Sequence, residues 1–285
     1  MASHAVRHHY PVAIVGAGPS GLVLSSLLSR WGVKHVLLER REALTRHPQA
    51  HYISLRTMEI LRHALPDVEA SVLRACAPAR DWRDFVVCSA VTERELGRVD
   101  NFTSGMRAAR RYEGLSPARV AHLPQHRFLD MLLADTRNAS AAAAVAAASQ
   151  ADGGGADILF GAEVHRLHLP TSSAGDAGPS GFSRINCRSP RGDGDNSSAG
   201  HGRTATSSRE ITCDRLVGAD GSSSTVRAAL GVRLLGGRGG SPLGHLINVH
   251  FRVGGGGGGG RNGLAARLPG PRPAMLYWVY NEAKL

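Results

Sequence analysis

Short apolar runs flank a helical pattern near the start of the chain. Val12–Val15 is an uninterrupted apolar run of the kind that forms a buried parallel strand. From Pro19 to Trp31 apolar residues recur at helical spacing, and Gly32 follows as a typical helix terminator. Lys34–Glu39 is a second strand-like run. The pattern therefore predicts a strand, a glycine turn, a helix and a strand, which together form a βαβ unit.

The rest of the pattern predicts a mixed α and β chain. The further predicted elements are a helix over Ser54–His63 that ends before Pro66, a hairpin over Phe85–Val99 around Thr92–Glu93, a helix opened by Pro124, and strands over Asp157–Leu169, Glu210–Asp220 and Ala274–Asn281. The helix after Pro124 has an apolar face formed by Phe128, Leu129, Leu132 and Leu133. Residues 171–208 are poor in apolar residues and rich in Gly, Ser, Asp and Arg, so we expect a disordered insertion there. The seven-glycine run at 254–260 predicts an inserted loop.

The net charge of +11 comes almost entirely from arginine, because Lys34 and Lys284 are the only lysines among 34 basic residues. With 35 glycines and long alanine runs, this balance indicates a compositional bias of the coding sequence. The arginines are scattered and form no long basic run. We therefore expect no nucleic-acid partner.

Cysteine usage and hydropathy indicate the cellular compartment of the chain. Cys76, Cys88, Cys187 and Cys213 lie far apart and form no C-x-x-C pair, so neither a zinc site nor a redox pair is expected. No apolar stretch reaches about 18 residues, so we predict no transmembrane segment. The residues before the first strand lack the apolar core of a secretory signal. Reduced thiols in the cytoplasm are the expected state.

Three glycines stand between the first predicted strand and helix in the pattern G-x-G-x-x-G. Gly16 permits a tight turn, Gly18 lets the backbone approach a pyrophosphate, and Gly21 lets helix and strand pack closely. The amino end of the helix offers free N–H groups and a partial positive charge to the phosphate. Glu39 follows Gly21 by about 18 residues, near the spacing of an acid that binds ribose hydroxyls. A dinucleotide site is therefore predicted, and a tight turn without a ligand does not explain Glu39. The motif alone does not separate FAD from NAD.

A second group of motif residues lies in Cys213–Val232. There a buried strand ends at Asp220–Gly221, and serines and a threonine lead into a short helix that carries Arg227. Together with the glycine turn, this stretch resembles the FAD-dependent aromatic hydroxylases, the single-component flavoprotein monooxygenases of the phenol hydroxylase and para-hydroxybenzoate hydroxylase type. The stretches that carry the resemblance, in the family's order, are Val12–Arg41, His47–Arg62, Leu123–Leu133 and Cys213–Gly231.

The resemblance implies an α/β fold with a Rossmann-like FAD-binding domain of the glutathione-reductase type and an incomplete second, mostly β substrate domain. The implied bounds are 1–80 and 117–233 for the FAD-binding domain, and 81–116 and 234–285 for the partial substrate domain. Phe85, Tyr277 and Trp278 would line a substrate pocket or, as the commoner role, pack in the core. The family's third flavin motif, a GDAAH-like stretch, is absent from the 285 residues. We therefore expect the chain to correspond to the amino-terminal part of a hydroxylase.

The resemblance also implies cofactor contacts, residue by residue. The residues expected to bind FAD are Gly16, Gly18, Pro19, Ser20 and Gly21 at the pyrophosphate, Glu39 and Arg40 at the adenosine ribose, and Arg56, Gln125, Asp220 and Gly221 elsewhere on the cofactor. For Arg56 a salt bridge at the start of its helix is an equal alternative, and for Asp220 the alternative is a helix-capping or turn role. Gln49 stands where family members often carry a basic residue. His51, Tyr52 and His122 are candidate bases, but no catalytic residue is assigned and no metal is expected.

By resemblance, the expected reaction is hydroxylation of a phenolic or related aromatic substrate, with FAD as cofactor, NADPH or NADH as cosubstrate, and O₂. Two alternatives stay open. One is a truncated or degenerate FAD-binding protein without turnover. The other is a related flavoprotein, such as a quinone-ring hydroxylase, an epoxidase or a prenyl-lipid reductase. The expected partners are the small aromatic substrate and O₂, and a homodimer is an oligomeric state that the resemblance allows.

Overall fold

The computed structural model describes residues 8–47, 49–78, 82–90, 92–100, 115–147, 154–170, 182–189, 207–235 and 276–279. The chain divides into two compact units, one of Met1–Arg46 with His126–Gly239 and the other of His47–Gln125 with Gly240–Leu285. The domain bounds inferred from the sequence stay a prediction. The predicted loop at 254–260 lies outside the described residues.

The described elements alternate between strands and helices. In chain order they are β1 (His8–Val15), α1 (Pro19–Arg30), β2 (His35–Glu39), β3 (Tyr52–Ile53), α2 (Leu55–Ala64), α3 (Pro66–Ala75), β4 (Asp84–Cys88), β5 (Glu95–Asp100), β6 (Ala121–His122), α4 (Gln125–Ala146), β7 (Ala156–Phe160), β8 (Glu163–His168), β9 (Ser183–Ser189), β10 (Ser207–Gly218), α5 (Thr225–Ala229) and β11 (Leu276–Val279).

A six-stranded sheet organises the first unit, in the order β7-β2-β1-β10-β9-β8. The strands β7, β2, β1 and β10 run parallel, whereas β9 pairs antiparallel with both β10 and β8. Every residue of β2 is buried, as expected of a parallel strand covered on both faces. Ile14, Leu37 and Ile211 are among the fully buried side chains of this unit. The α/β class and the Rossmann-like βαβ unit predicted from the sequence are confirmed.

Polar contacts join helix α4 to α1. Its predicted apolar face is buried at Phe128, Leu129 and Leu132. Thr136 donates its hydroxyl to the Leu22 carbonyl at 3.2 Å, and Asp135 forms an ion pair with an arginine at the end of α1. The helix continues into the alanine run, where it is mostly exposed. None of the helices in the described ranges has the length and apolarity that a membrane span requires.

The strand character predicted for residues 157–169 is confirmed, and the assignment of 171–208 needs a correction. Gly161, with a φ of +72°, divides residues 157–169 into β7 and β8, which lie at opposite edges of the sheet. The expected disorder of 171–208 is wrong for β9. Ile185 and Cys187 alternate with polar residues in β9 and are buried, which is the pattern of a half-covered strand. Residues 171–181 and 190–206 lie outside the described residues.

Two short helices lie in the second unit. Ser54 caps α2 by accepting a hydrogen bond from the Thr57 amide, and the helix ends before Pro66 as predicted. The sequence analysis missed α3, which begins at Pro66 itself. Proline suits the first position of a helix, because it has no N–H group that would be left without a partner there. Pro66 therefore both stops α2 and begins α3.

The described strands of the second unit form a sheet and a small ribbon. The sheet has the order β11-β4-β5, and the predicted hairpin β4–β5 is confirmed. Val86 and Cys88 are buried on one face, where Arg98 also binds Asp84 at 2.9 Å. Trp278 is 58% exposed on the opposite face. The ribbon pairs β3 with β6 antiparallel.

A buried histidine holds the start of β2 against α1. The Nε2 atom of His35 lies 2.7 Å from the Ser25 hydroxyl, and its Nδ1 atom lies 2.8 Å from the Val33 carbonyl. The carbonyl can only accept, so Nδ1 donates and Nε2 accepts from Ser25 in a neutral ring. His35 is fully buried, and this burial lowers its pKa below the ordinary value. The neutral ring is therefore the form that fits the fold.

Acid should destabilise the wild-type chain more than the variant His35→Gln. Because the folded-state pKa of His35 is lowered, the unfolded chain takes up the proton first once the pH falls below about 6.5, which costs up to about 1.4 kcal/mol per pH unit. Urea denaturation between about pH 8 and about pH 5 measures the difference in unfolding free energy between the two chains. Parallel pH profiles for the two chains would contradict the prediction.

Candidate dinucleotide-binding site

Three parallel strands end side by side at one edge of the first-unit sheet. Val15 at the end of β1 lies opposite Leu38 of β2 and Gly218 of β10. The segments that follow these strands are therefore neighbours: the glycine turn, Glu39–Arg41 and Ala219–Gly221. In open α/β sheets this carboxyl edge is where ligands bind.

The glycine turn is packed too closely for side chains at two of its positions. Gly16 has a φ of +106°, and a Cβ there would lie 2.9 Å from the Asp220 Cα and closer still to the Ala219 carbonyl group. A Cβ at Gly21 would collide with the carbonyl oxygen of Gly16. At Gly18 the nearest atom, the Ala219 oxygen, is 3.9 Å away. The turn is thus compact at Gly16 and Gly21 and has open space at Gly18, which suits the backbone approach of a pyrophosphate.

The amino end of α1 suits an anion. Gly18 is the N-cap and offers no side chain to the free N–H groups of the first turn, and Pro19 follows it. The first turn holds no acidic residue, and Ser20 is exposed. The unsatisfied N–H groups and the positive end of the helix dipole therefore fit a phosphate group at this position.

Glu39 joins the glycine turn to the loop after β2. Its Oε2 accepts a hydrogen bond from the Ala17 amide at 2.9 Å, and its Oε1 accepts one from the Arg41 amide at 3.0 Å. Glu39 is only 9% exposed, and Arg40 beside it is exposed. Each carboxylate oxygen can accept a second hydrogen bond, so the ribose hydroxyls of a nucleotide fit the same group. The sequence predicted the acid but not its two amide partners.

Asp220 takes the capping role that the sequence left as an alternative. Its Oδ2 accepts from the amides of Thr225 and Val226 at 2.6 and 3.3 Å, and its Oδ1 accepts from the Ser224 hydroxyl at 2.5 Å. Its backbone lies against Gly16, as the predicted site requires. The next residue, Gly221, has a φ of +84°, which favours glycine. A direct contact of Asp220 with a cofactor stays a prediction.

Two further predicted cofactor residues lie in the second unit. Arg56 is 81% exposed and forms an ion pair with Glu59 at 3.0 Å, so the helix-start salt bridge offered as its alternative role is present. Gln125 begins α4, and its amide donates to the Ala50 carbonyl at 2.7 Å. Its side-chain Nε2 lies 3.5 Å from Oε1 of Gln49, the residue that replaces a basic one. Their cofactor roles stay predictions.

The candidate bases His51 and His122 lie side by side in the second unit, with tilted rings whose centroids are 4.6 Å apart. Trp82 stacks on the His122 ring at a centroid distance of 5.2 Å. Nε2 of His122 is buried and has no hydrogen-bond partner in the described part of the chain. Burial, and then the neighbouring His51, lower the pKa of His122. These contacts describe a packed aromatic cluster, and no base is assigned to it.

Comparisons with known proteins point to one family. The family described as "FAD binding domain" matches residues 9–157 and 182–255, which is more than half of the chain. A 2,4-dichlorophenol 6-monooxygenase of Delftia acidovorans is 27% identical over 278 residues, which cover 94% of this chain and 37% of that protein. Aklavinone 12-hydroxylase RdmE of Streptomyces purpurascens is 33% identical over 248 residues, covering 86% and 38% respectively.

A solved structure gives the same result for the fold. The flavin-dependent monooxygenase PieE, in complex with FAD and substrate, matches with a TM-score of 0.58 and 25% identity, over 78% of this chain and 32% of that one. The chain thus spans between 32% and 38% of the length of these three relatives. The matched ranges of the family include the glycine turn, Glu39 and Asp220.

Replacing Gly21 by alanine should destabilise the first unit by about 1–3 kcal/mol, because the added methyl group meets rigid backbone at Gly16. The matched control is Gly97→Ala in β5, where a Cβ meets no atom within 4 Å. Urea denaturation of both variants and the parent chain measures the effect. Equal stability of the two variants would contradict the close packing of this turn.

Proposed function

Since this chain belongs to the FAD binding domain family, as its motifs indicate, we propose that it functions as an FAD-dependent monooxygenase that hydroxylates a phenolic or related aromatic ring with NADPH or NADH and O₂. The proposal rests on one observation. The glycine turn, Glu39 and Ala219–Gly221 lie next to one another at one edge of the sheet. The names of two relatives, a dichlorophenol monooxygenase and an aklavinone hydroxylase, support an aromatic substrate.

In this proposal each part of the edge binds one part of FAD. Gly16, Gly18 and the first turn of α1 with Pro19, Ser20 and Gly21 hold the pyrophosphate. Glu39 accepts hydrogen bonds from the ribose hydroxyls while it keeps its two amide partners, and Arg40 lies beside it. Asp220 and Gly221 close the site from the end of β10. Arg56 and Gln125 are proposed as cofactor-binding residues only on the resemblance of their sequence motifs.

When bound, FAD would carry electrons from the reduced pyridine nucleotide to O₂, and the oxygen atom that the ring receives would come from that O₂. The residues of this chain bind and orient it. Glu39 disfavours a phosphate group on the ribose that it holds, by like-charge repulsion. A substrate hydroxyl also needs a base, for which the described residues provide no assigned group.

Two alternatives differ from the proposal in their products. A chain without turnover would bind FAD and consume no O₂, and a related flavoprotein reductase would transfer no oxygen to its product. We also propose a cytoplasmic location, in keeping with the free thiols of all four cysteines, and a homodimer. Size-exclusion chromatography with light scattering tests the homodimer, and a monomer would contradict it.

Glu39→Gln should weaken FAD binding about tenfold and leave FMN binding unchanged, because FMN lacks the adenosine that Glu39 is proposed to hold. Quenching of flavin fluorescence on titration with the protein measures both affinities. Glu163→Gln, an exposed acid on β8, is the matched control and should bind FAD as the parent chain does. Equal losses for FAD and FMN, or none for either, would contradict the ribose role of Glu39.

Phenols should raise the rate of NADPH or NADH oxidation by the FAD-loaded protein, and the product should contain one atom from labelled O₂. The reason is that a monooxygenase places one oxygen atom on the ring and reduces the other to water. Mass spectrometry of the product with ¹⁸O₂ measures the incorporation. A reduced product without label would favour the reductase, and no O₂ consumption above background would favour the chain without turnover.

A further inference from the structure

The antiparallel ribbon of β3 and β6 in the second unit leads directly into the start of a helix. Its hydrogen bonds continue past the two strands, since the Leu123 amide donates to the His51 carbonyl at 2.8 Å. One step further, the Gln125 amide donates to the Ala50 carbonyl at 2.7 Å. Gln125 is the first residue of α4. Opening of the ribbon would break both bonds, so the position of Gln125 depends on the ribbon.

Two aromatic side chains contact the ring of His122 on this ribbon. The His51 ring is tilted by 57° to it, and the Trp82 indole stacks on it with 20° between the planes. His51 is exposed, whereas Trp82 is buried and its indole N–H donates to the Ala77 carbonyl at 3.0 Å. The amide of Ala77 donates to the His122 carbonyl at 3.4 Å. The segment after α3 therefore contacts both the ring and the backbone of His122.

The Nε2 atom of His122 is buried and has no hydrogen-bond partner among the described residues. A neutral ring can leave this nitrogen as an acceptor without a hydrogen, whereas the protonated ring places an N–H group there and carries a positive charge. A buried charge that has neither an acceptor nor a counter-ion is costly. The closed ribbon therefore favours the neutral form of His122.

The surroundings of His122 oppose a positive charge on its ring. In the described part of the chain, it faces His51 from the segment before β3, Tyr52 from β3 as its register partner, and Trp82 from the segment after α3. Tyr52 and Trp82 carry no charge near neutral pH, and a protonated His51 would repel a second positive charge. Burial, and then His51, accordingly lower the pKa of His122.

We propose that His51 and His122 form a proton-sensitive latch on the ribbon. With both rings neutral the ribbon is closed and Gln125 is held at the start of α4. Proton uptake by the pair opens the ribbon, because both imidazolium ions are then solvated by water. The latch itself does not depend on the proposed function. Its effect on FAD does rest on that function, because the cofactor role of Gln125 is part of the proposal.

The direction of the pH dependence follows from linkage between proton binding and opening. Because the pKa of His122 is lowered in the closed form, the open form binds the proton first as the pH falls below about 6.5. The equilibrium constant for opening should then rise by up to about tenfold for each pH unit, until the pH falls below the pKa of the closed form. Above about pH 6.5 the ribbon should stay closed.

The test is hydrogen–deuterium exchange of the whole chain at about pH 7.5 and about pH 5.5, with each rate divided by the intrinsic rate at that pH. In the parent chain the protection of the Leu123 and Gln125 amides should fall about tenfold at the lower pH. His122→Phe keeps an aromatic ring that cannot take up a proton, so its protection should not change with pH. His51→Gln, at an exposed position, should make the fall smaller. The matched control His165→Gln, an exposed histidine on β8, should keep the fall of the parent chain.

Equal falls in the parent chain and in His122→Phe would overturn the latch, and so would unchanged protection in the parent chain. An equal fall over the amides of α3 would also overturn it, because the whole second unit would then be unfolding in acid. If His122→Phe does not fold, His51→Gln decides alone, and a fall as large as that of His165→Gln overturns the latch.

FAD affinity is followed separately by flavin fluorescence at the same two pH values. It should fall at the lower pH in the parent chain and stay constant in His122→Phe. Exchange that follows the latch without any binding of FAD would contradict only the proposed function. Binding of FAD together with exchange that does not depend on pH would contradict only the latch.

Discussion

The candidate site depends on the close approach of three backbone segments that have no side chains between them. Gly16 lies against the Ala219 carbonyl and the Asp220 Cα, and Gly21 lies against the Gly16 carbonyl. These contacts bring the first βαβ unit together with a strand that follows about two hundred residues later in the sequence. A methyl group at Gly16 or Gly21 would separate them, so the glycines determine the architecture of the edge before any ligand is considered.

Glu39 also stabilises the arrangement of these backbone segments. A buried carboxylate is costly unless it is hydrogen-bonded, and here two amides from different loops satisfy it. The same group therefore serves the fold and faces the ligand edge. Asp220 combines two roles in a similar way, since its carboxylate caps α5 while its backbone packs on the glycine turn. The shared residues explain why the segments at 16–21, 39 and 220 depend on one another in this chain.

The sequence predicted the parts of the fold whose residues are locally consistent. Val12–Val15 and Lys34–Glu39 have uninterrupted apolar runs, and the glycine spacing between them specifies the turn. The sequence was less informative where a single residue determines whether one element ends and another begins. Gly161 splits one apolar run into strands at opposite edges, and Pro66 both ends α2 and begins α3. In β9, Ile185 and Cys187 are too few to stand out within a polar stretch.

The sequence also could not give contacts that arise only in three dimensions. The Ala17 amide that donates to Glu39 lies 22 residues before it in the sequence. The loop 42–46 and α4, which line one cavity, are also distant in sequence. The central claim is that FAD binds at the edge formed by residues 16–21, 39 and 219–221. Hydrogen–deuterium exchange with and without FAD tests it most directly. The account predicts slower exchange at the amide of Ala17, through α1's first turn and over 219–226, with β9 unchanged; unchanged exchange at the glycine turn in the presence of bound FAD would contradict it.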